Sequence, residues 1–265
     1  MAGPADGRCV ILMHGGGQTR HAWRRVSRSL VEAGYRVVAY DARGHGGSDW
    51  SPDSVYGIDI FAADLRAIID QLPPRPILVG ASMGGVTALV TAARERGLAS
   101  ALVLVDVTPV VNMEGADRIT GFMRQNLDGF TSLEHAADTV AAYLPHRPRP
   151  RDNSGLMKNL RRGPDGRLYW HWDPKIFNSG NPNQRAAVVD QLVEACKHVR
   201  EPTLLIRGSD SEIVTPEGAR HFQSLIPGSE WVDVAGARHM VAGDNNDAFS
   251  AAILEFLTRV VPPGG

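Results

Sequence analysis

Two kinds of hydrophobic pattern alternate along this chain. Short and almost continuous apolar runs predict strands of a parallel sheet that is covered on both faces. Six such runs lie at residues 9–13, 37–40, 77–79, 101–105, 203–206 and 231–234. Between them, apolar residues recur at helical spacing, as in residues 61–72 and 249–260. The alternation predicts an α/β fold with a mostly parallel, doubly wound sheet.

This alternation stops between about residues 107 and 200. The stretch contains helical pieces together with arginine-, proline- and glycine-rich segments, and it is too long for an ordinary loop. We therefore expect a core made of residues 1–106 and 201–265, with a helical cap inserted at 107–200. Its arginines are expected to form a solvated surface, or else to bind an anionic substrate group as bidentate ligands. They are Arg147, Arg149, Arg151, Arg161 and Arg162.

Composition narrows the classes of partner. The 265 residues carry 28 basic and 29 acidic side chains, a balance that gives no reason to expect nucleic acid or a membrane surface as a partner. No apolar run is long enough to cross a bilayer, and the first residues lack the apolar region of a signal peptide. Two isolated cysteines, Cys9 and Cys196, form no disulfide framework, so a cytoplasmic location is expected. No metal-ligand spacing is present, and no cofactor or metal is expected.

The segment GASMGG, at residues 80–85, is the strongest chemical signal. It follows the run 77–79 and precedes a helical stretch at 84–96, which is the strand–turn–helix context of a G-x-S-x-G nucleophile motif. Side chains at Gly80 and Gly84 are expected to clash across so tight a turn. The turn would hold the Ser82 hydroxyl above the sheet at a helix N-terminus, where developing negative charge is favoured. Ser82 is therefore the predicted nucleophile.

Two further segments supply partners for such a nucleophile. A glycine loop, His14-Gly15-Gly16-Gly17, directly follows the first strand and could aim a backbone N–H at an oxyanion, with the N–H of Met83 as second donor. A serine hydroxyl also needs a base, and His239 lies in a glycine-containing loop after the last strand. His14 is expected to shape the glycine loop, and His171 to pack within the cap or, as the alternative, to form a pocket wall.

Four segments together resemble the α/β-hydrolase superfamily, in its serine esterase and cofactor-free haloperoxidase-like branch. They are LMHGGG, DARGHGGSD at 41–49, VGASMGG and AGARHM at 235–240, in the family's order, and the resemblance covers nearly the whole chain outside the cap. It implies Ser82 as nucleophile, the N–H groups of Gly16 and Met83 as the oxyanion hole, and His239 as the last triad member along the chain. Only a short polar segment precedes Cys9, so the sheet is expected to lack one or two leading strands.

The acidic member of the triad is less clear in the sequence. The family usually places it three residues after the glycine that ends the seventh strand, which here gives Ser211. Asp106 ranks first among the alternatives, because VDVTP resembles a subset of small acyl hydrolases whose acid follows the sixth strand. Glu212 ranks second and Asp210 third. Asp106 could instead be a structural carboxylate that binds local N–H groups.

The predicted reaction is hydrolysis of a small carboxylic ester or lactone through an acyl-enzyme. Alternatives are a cofactor-free haloperoxidase or perhydrolase, a C–C bond hydrolase and, in another class, a ligand receptor on a hydrolase scaffold. The substrate pocket is expected near Gly15, Gly17, Phe122, Trp170 and Trp172. Met123 and Phe177 could join it, or these cap aromatics could only form the core of the cap. The physiological substrate and the oligomeric state stay open.

Overall fold

Six parallel strands form the central sheet. The structure, a computed structural model, describes residues 1–177 and 182–264, and only the backbone at 182–184. The strands are β1 (Cys9–Met13), β2 (Arg36–Tyr40), β3 (Ile77–Ala81), β4 (Ala101–Val105), β7 (Thr203–Gly208) and β8 (Glu230–Val234). They lie in the order β2-β1-β3-β4-β7-β8, and every neighbouring pair is parallel. The predicted α/β fold with a mostly parallel sheet is thereby confirmed.

Helices cover both faces of this sheet. On one face lie α1 (Arg24–Glu32) and α9 (Asn246–Val260), and on the other lie α2 (Ile58–Ile69), α3 (Met83–Arg94), α6 (Pro182–His198) and α7 (Pro216–Leu225). A short helix, α8 (Val241–Asp244), precedes α9. None of the helices in the described part of the chain is long and apolar enough to span a membrane.

Strand β1 explains why the strand sequences are continuously apolar. Its odd positions, from Cys9 to Met13, pack with α2 and α3. The even positions, Val10 and Leu12, pack with α1 and α9. Successive side chains of a strand point to opposite faces, so burial of both faces leaves no polar position.

The chain before β1 forms no strand within residues 1–8. Ala2 makes a single antiparallel bridge with Val37 of β2. Cys9 and Cys196 are both buried free thiols. Burial raises the pKa of Cys196 to about 12, so this thiol stays protonated and packs as a small apolar side chain.

A mostly helical insertion lies between β4 and β7. It contains α4 (Met113–Met123), α5 (Leu133–Tyr143) and α6, as well as an antiparallel hairpin of β5 (Leu160–Arg162) and β6 (Leu168–Trp170) that the sequence did not predict. Its small core includes Phe130, Trp170 and Trp172. Leu192 and Cys196 of α6 instead belong to the core around α3. The last part of the predicted cap therefore packs as a covering helix of the sheet.

Candidate active site

Ser82 occupies a strained turn between β3 and α3. Its backbone has φ 47° and ψ −114°, and its N–H donates to the Val105 carbonyl at 3.0 Å. A positive φ is costly for a residue with a Cβ and persists only where the surroundings enforce it. The hydrogen bond to Val105 holds the turn beside the end of β4. The serine is thereby kept at the carboxyl edge of the sheet and at the N-terminus of α3.

The glycines around Ser82 are required by close backbone contacts. A Cβ at Gly80 would lie 2.3 Å from the Gly84 carbonyl oxygen, across the turn. A Cβ at Gly84 would lie 2.3 Å from the Met13 carbonyl oxygen of β1. The expectation of two clashes across the turn was therefore right for Gly80 and wrong for Gly84, because the backbone of α3 starts directly against the neighbouring strand.

The glycine loop that follows β1 lies beside Ser82. A Cβ at Gly15 would be 3.5 Å from the Ser82 Cβ. Among the described residues, no acceptor lies within hydrogen-bond range of the Gly16 N–H. Met83 is the first residue of α3, so its N–H has no acceptor within the helix. The N–H groups of Gly16 and Met83, the two predicted oxyanion donors, thus donate to no backbone carbonyl of the described residues.

Three buried histidines form hydrogen bonds that hold the glycine loop. His14 belongs to the loop itself, His45 belongs to the core, and His171 belongs to the insertion. His45 Nε2 accepts the Gly17 N–H at 3.0 Å, and His171 Nε2 donates to the Gly17 carbonyl at 3.3 Å. His14 Nε2 accepts the Ala42 N–H at 2.9 Å. His171 Nδ1 accepts the Gly46 N–H at 2.8 Å, so this residue joins the insertion to both loops. The expected packing role of His171 therefore includes hydrogen bonds to the loop beside Ser82.

These histidines are neutral because each ring must accept one hydrogen bond from a backbone N–H. Burial lowers the pKa of His45 to about 3 and that of His171 to about 4, and it also lowers the pKa of His14. His45, which binds the glycine loop, is a residue of this site that the sequence reasoning did not single out. The available signal was the histidine of DARGHGGSD, whose partner at Gly17 is 28 positions away.

His239 and Asp106 form a direct pair at the carboxyl edge of the sheet. The His239 Nδ1–H donates to Asp106 Oδ2 at 2.7 Å. Asp106 follows β4, and its carboxylate is fully buried. The loop that carries His239 passes very close to β7, because a Cβ at Gly208 would lie 2.4 Å from the carbonyl oxygens of both Ala237 and Arg238. Gly208 therefore lets His239 approach the end of β4.

Ser211 stands at the position where the family usually has its acid, and it contacts Asp106. Its hydroxyl donates to Asp106 Oδ2 at 2.6 Å and accepts the N–H groups of Ile213 and Val214, each at 3.1 Å. The Gly208 N–H donates to Asp106 Oδ1 at 3.2 Å. The Asp106 carboxylate thus accepts hydrogen bonds from His239, Ser211 and Gly208. A buried charged group requires such partners, because burial without them is costly.

The other two acid candidates do not contact His239. Asp210 is exposed and accepts a hydrogen bond from Ser209 Oγ at 3.0 Å. Glu212 is half-buried, and its Oε2 atom has no hydrogen-bond partner within the described residues. Of the three candidates, the structure therefore brings Asp106 to His239. In the part of the chain that the structure describes, no hydrogen bond within 3.5 Å joins Ser82 Oγ to His239.

The predicted pocket residues divide into two groups. Three insertion side chains press on the glycine loop, because a Cβ at Gly17 would meet Met123 and Trp172, and one at Gly16 would meet Phe177 at 3.2 Å. Phe122 and Trp170 lie one layer further out. Phe122 stacks on Tyr143 at 4.0 Å, and Trp170 stacks on Trp172 at 4.7 Å.

Most arginines of the insertion have partners of their own. Arg147 binds Asp244, and Arg149 binds Glu134 and Asp138. Arg161 lies over the rings of Trp50 and Tyr169. Arg162 donates to the Gly166 carbonyl at 3.2 Å, and Arg151 is exposed. Across residues 1–177 and 182–264, no cluster of three or more His, Cys, Asp or Glu side chains is placed to hold a metal ion.

Comparison with known proteins places this chain in a family. A sequence model described as the alpha/beta hydrolase fold matches residues 8–245. Esterase Rv0045c of Mycobacterium tuberculosis is 33% identical over 82% of this chain and 73% of its own length. Non-heme chloroperoxidase CPO-A1 of Kitasatospora aureofaciens is 27% identical over 96% of this chain and 94% of its own. The crystal structure of E-2-(acetamidomethylene)succinate hydrolase superposes with a TM-score of 0.82 at 25% identity, over 94% of this chain and 91% of that one. The chain belongs to the α/β-hydrolase fold family.

Proposed function

We propose that the protein hydrolyses small carboxylic esters or lactones with Ser82, His239 and Asp106 as a catalytic triad. The observation that carries this proposal is the 2.7 Å hydrogen bond between His239 and a fully buried Asp106, at the same sheet edge as the strained Ser82 turn. A carboxylate on Nδ1 keeps the proton there and leaves Nε2 as the base. The similarity to an esterase over most of the chain supports the same reaction class.

Acylation begins when Ser82 Oγ attacks the ester carbonyl carbon and His239 Nε2 takes the hydroxyl proton. The resulting oxyanion is bound by the N–H groups of Gly16 and Met83, and the N-terminus of α3 favours its charge. The bond to the leaving alcohol then breaks, and the alcohol takes the proton from Nε2. Water repeats these steps on the acyl-enzyme, releasing the acid and free Ser82. The hydrogen bond between Ser82 and His239 forms in the complex, since such contacts are often long in free enzymes.

The test combines labelling and turnover. The folded protein should react with a fluorophosphonate probe at Ser82 and hydrolyse p-nitrophenyl acetate. The Ser82→Ala variant should lose labelling, and its kcat should fall by about 10³-fold or more. Ser224→Ala is the matched control, because Ser224 is an exposed serine of α7 far along the chain from the turn. Absence of labelling and turnover in folded wild-type protein would refute the proposal and favour a ligand receptor.

A second reaction of the same acyl-enzyme is favoured by the similarity to a non-heme chloroperoxidase over nearly the whole chain. Hydrogen peroxide would attack the acyl carbon in place of water. The bond to Ser82 Oγ would break, the serine would regain its proton, and a peracid would leave to oxidise bromide in solution. Bromination of monochlorodimedone that requires acetate, peroxide, bromide and Ser82 together would support this reaction. Bromination that persists in Ser82→Ala would contradict it.

A further inference from the structure

The loop that carries His239 is closed by a single buried carboxylate. Asp244 ends α8, and its side chain is only 4% exposed. Its Oδ2 accepts the N–H of Arg238 at 2.9 Å, and Arg238 directly precedes His239. This hydrogen bond joins the two ends of the segment 238–244, and it fixes the backbone directly before His239.

The insertion supplies the other contacts of that carboxylate. Arg147 follows α5, and its Nε donates to Asp244 Oδ1 at 2.6 Å. His146 Nε2 lies 3.4 Å from the same oxygen. Arg147 Nη2 also donates to the Met240 carbonyl at 3.4 Å, on the other side of His239. The guanidinium therefore holds the loop both before and after the base.

The guanidinium also packs directly against α8. A Cβ at Gly243 would lie 2.8 Å from Arg147 Nη2, so a larger residue there would require the guanidinium to shift. Within the described residues, the neighbouring Arg149 forms ion pairs with Glu134 and Asp138, both on α5. These two nearby arginines thus differ in their partners, because Arg147 binds the loop that carries His239 and the described ion pairs of Arg149 are with α5 of the insertion.

We propose that Arg147 is a positioning residue for His239, acting through Asp244, so that the insertion sets the orientation of the catalytic base. This inference rests on the proposed triad. Removal of the guanidinium leaves a buried carboxylate with the Arg238 N–H and a weaker histidine contact, and such a group recruits water or shifts. The backbone on both sides of His239 then loses its fixed position. A small displacement of a catalytic group lowers the reaction rate strongly, because the reacting atoms must be aligned.

The experiment compares Arg147→Ala with Arg149→Ala on p-nitrophenyl acetate. We expect kcat of Arg147→Ala to fall by about 10-fold or more, with KM within about twofold of wild type. Arg149→Ala should keep wild-type kcat. Millimolar guanidinium chloride should restore part of the lost kcat in Arg147→Ala, whereas equal sodium chloride should not, because a free guanidinium ion can bind Asp244. Asp244→Asn should lower kcat similarly while it keeps an acceptor for Arg238, and circular dichroism verifies that each variant is folded.

The other outcomes separate this inference from the proposed function. A rise in KM with unchanged kcat would overturn it and make Arg147 a substrate ligand. Equal losses in Arg147→Ala and Arg149→Ala would overturn it in favour of a general effect of the insertion on stability. Wild-type kcat in folded Arg147→Ala and Asp244→Asn would also overturn it, and the triad would stand if Ser82→Ala is inactive. Retained activity of Ser82→Ala would refute the triad itself.

Discussion

Ser211 donates its hydroxyl to the same oxygen of Asp106, Oδ2, that accepts the Nδ1–H of His239. The residue at the family's usual acid position therefore binds the proposed acid, which follows the neighbouring strand. Because Asp106 follows β4 and Ser211 follows β7, which pair directly, a carboxylate on either strand end could reach the same imidazole. The placement on β4 leaves the later position free to orient the carboxylate.

We expect Asp106→Asn to lower kcat by about 10⁴-fold, because an amide at this place favours the wrong histidine tautomer. The two other acid candidates supply the controls. Glu212→Gln and Asp210→Asn should stay within a few-fold of wild type, since neither carboxylate contacts His239. Steady-state kinetics on one ester measure all three. A larger loss in Glu212→Gln than in Asp106→Asn would reverse the assignment.

Ser211→Ala should reduce both stability and rate. The change removes one donor from Asp106 and leaves the N–H groups of Ile213 and Val214 without their acceptor. Buried polar groups that lose a partner cost about 1–3 kcal/mol, so the free energy of unfolding should fall by about that amount. We expect kcat to fall as well, because the carboxylate loses its orientation. Urea titration and kinetics, with Ser224→Ala as control, decide this, and an unchanged kcat would contradict the orienting role.

Gly84→Ala should destabilise the fold strongly. The new Cβ would lie 2.3 Å from a backbone oxygen of the central strand β1, which cannot rotate away as a side chain does. We expect a loss of about 3 kcal/mol in the free energy of unfolding. Gly155→Ala is the control, because a Cβ there meets nothing within 4 Å. Similar unfolding midpoints in urea for the two variants would show that the turn has more room than the structure gives it.

The neutral state of His171 predicts acid lability. Its pKa is about 4 in the folded protein and 6.5 for the free side chain, so below pH 6.5 the unfolded chain binds a proton that the folded chain excludes. Stability from this group is present above pH 6.5 and is lost as the pH falls toward 4, by about 1.4 kcal/mol per pH unit. His171→Gln keeps a donor and an acceptor but does not titrate. Its unfolding free energy should depend less on pH in this window by about one proton, and identical slopes would refute the assignment.

The sheet was predictable because its signal is local. Strand β1 shows this, since burial on two faces makes five consecutive residues apolar. The turn at Ser82 was predictable because its motif lies within six residues of sequence, although the clash that requires Gly84 is with Met13 of β1 and leaves no local signal. The hairpin β5–β6 was missed because its strands are only three residues long, which is too short to show an alternating pattern.

The contacts around the triad could not be predicted in the same way. Arg147 and Asp244 are 97 positions apart, and His171 and Gly17 are 154 positions apart. Neither pair leaves a periodic pattern in the chain. The pairings depend on how the insertion docks on the sheet edge, which is a property of the folded arrangement.

Both backbone polar groups of Gly17 are bound by histidines, because its N–H donates to His45 and its carbonyl accepts from His171. One of these rings comes from the core and the other from the insertion. If the insertion is replaced by that of a homologous enzyme to change substrate preference, the new insertion must therefore carry an imidazole, or an amide of equal reach, at position 171. A chimera without such a side chain would carry a new insertion, but Gly17 beside Ser82 would lose one of the two hydrogen bonds that hold it.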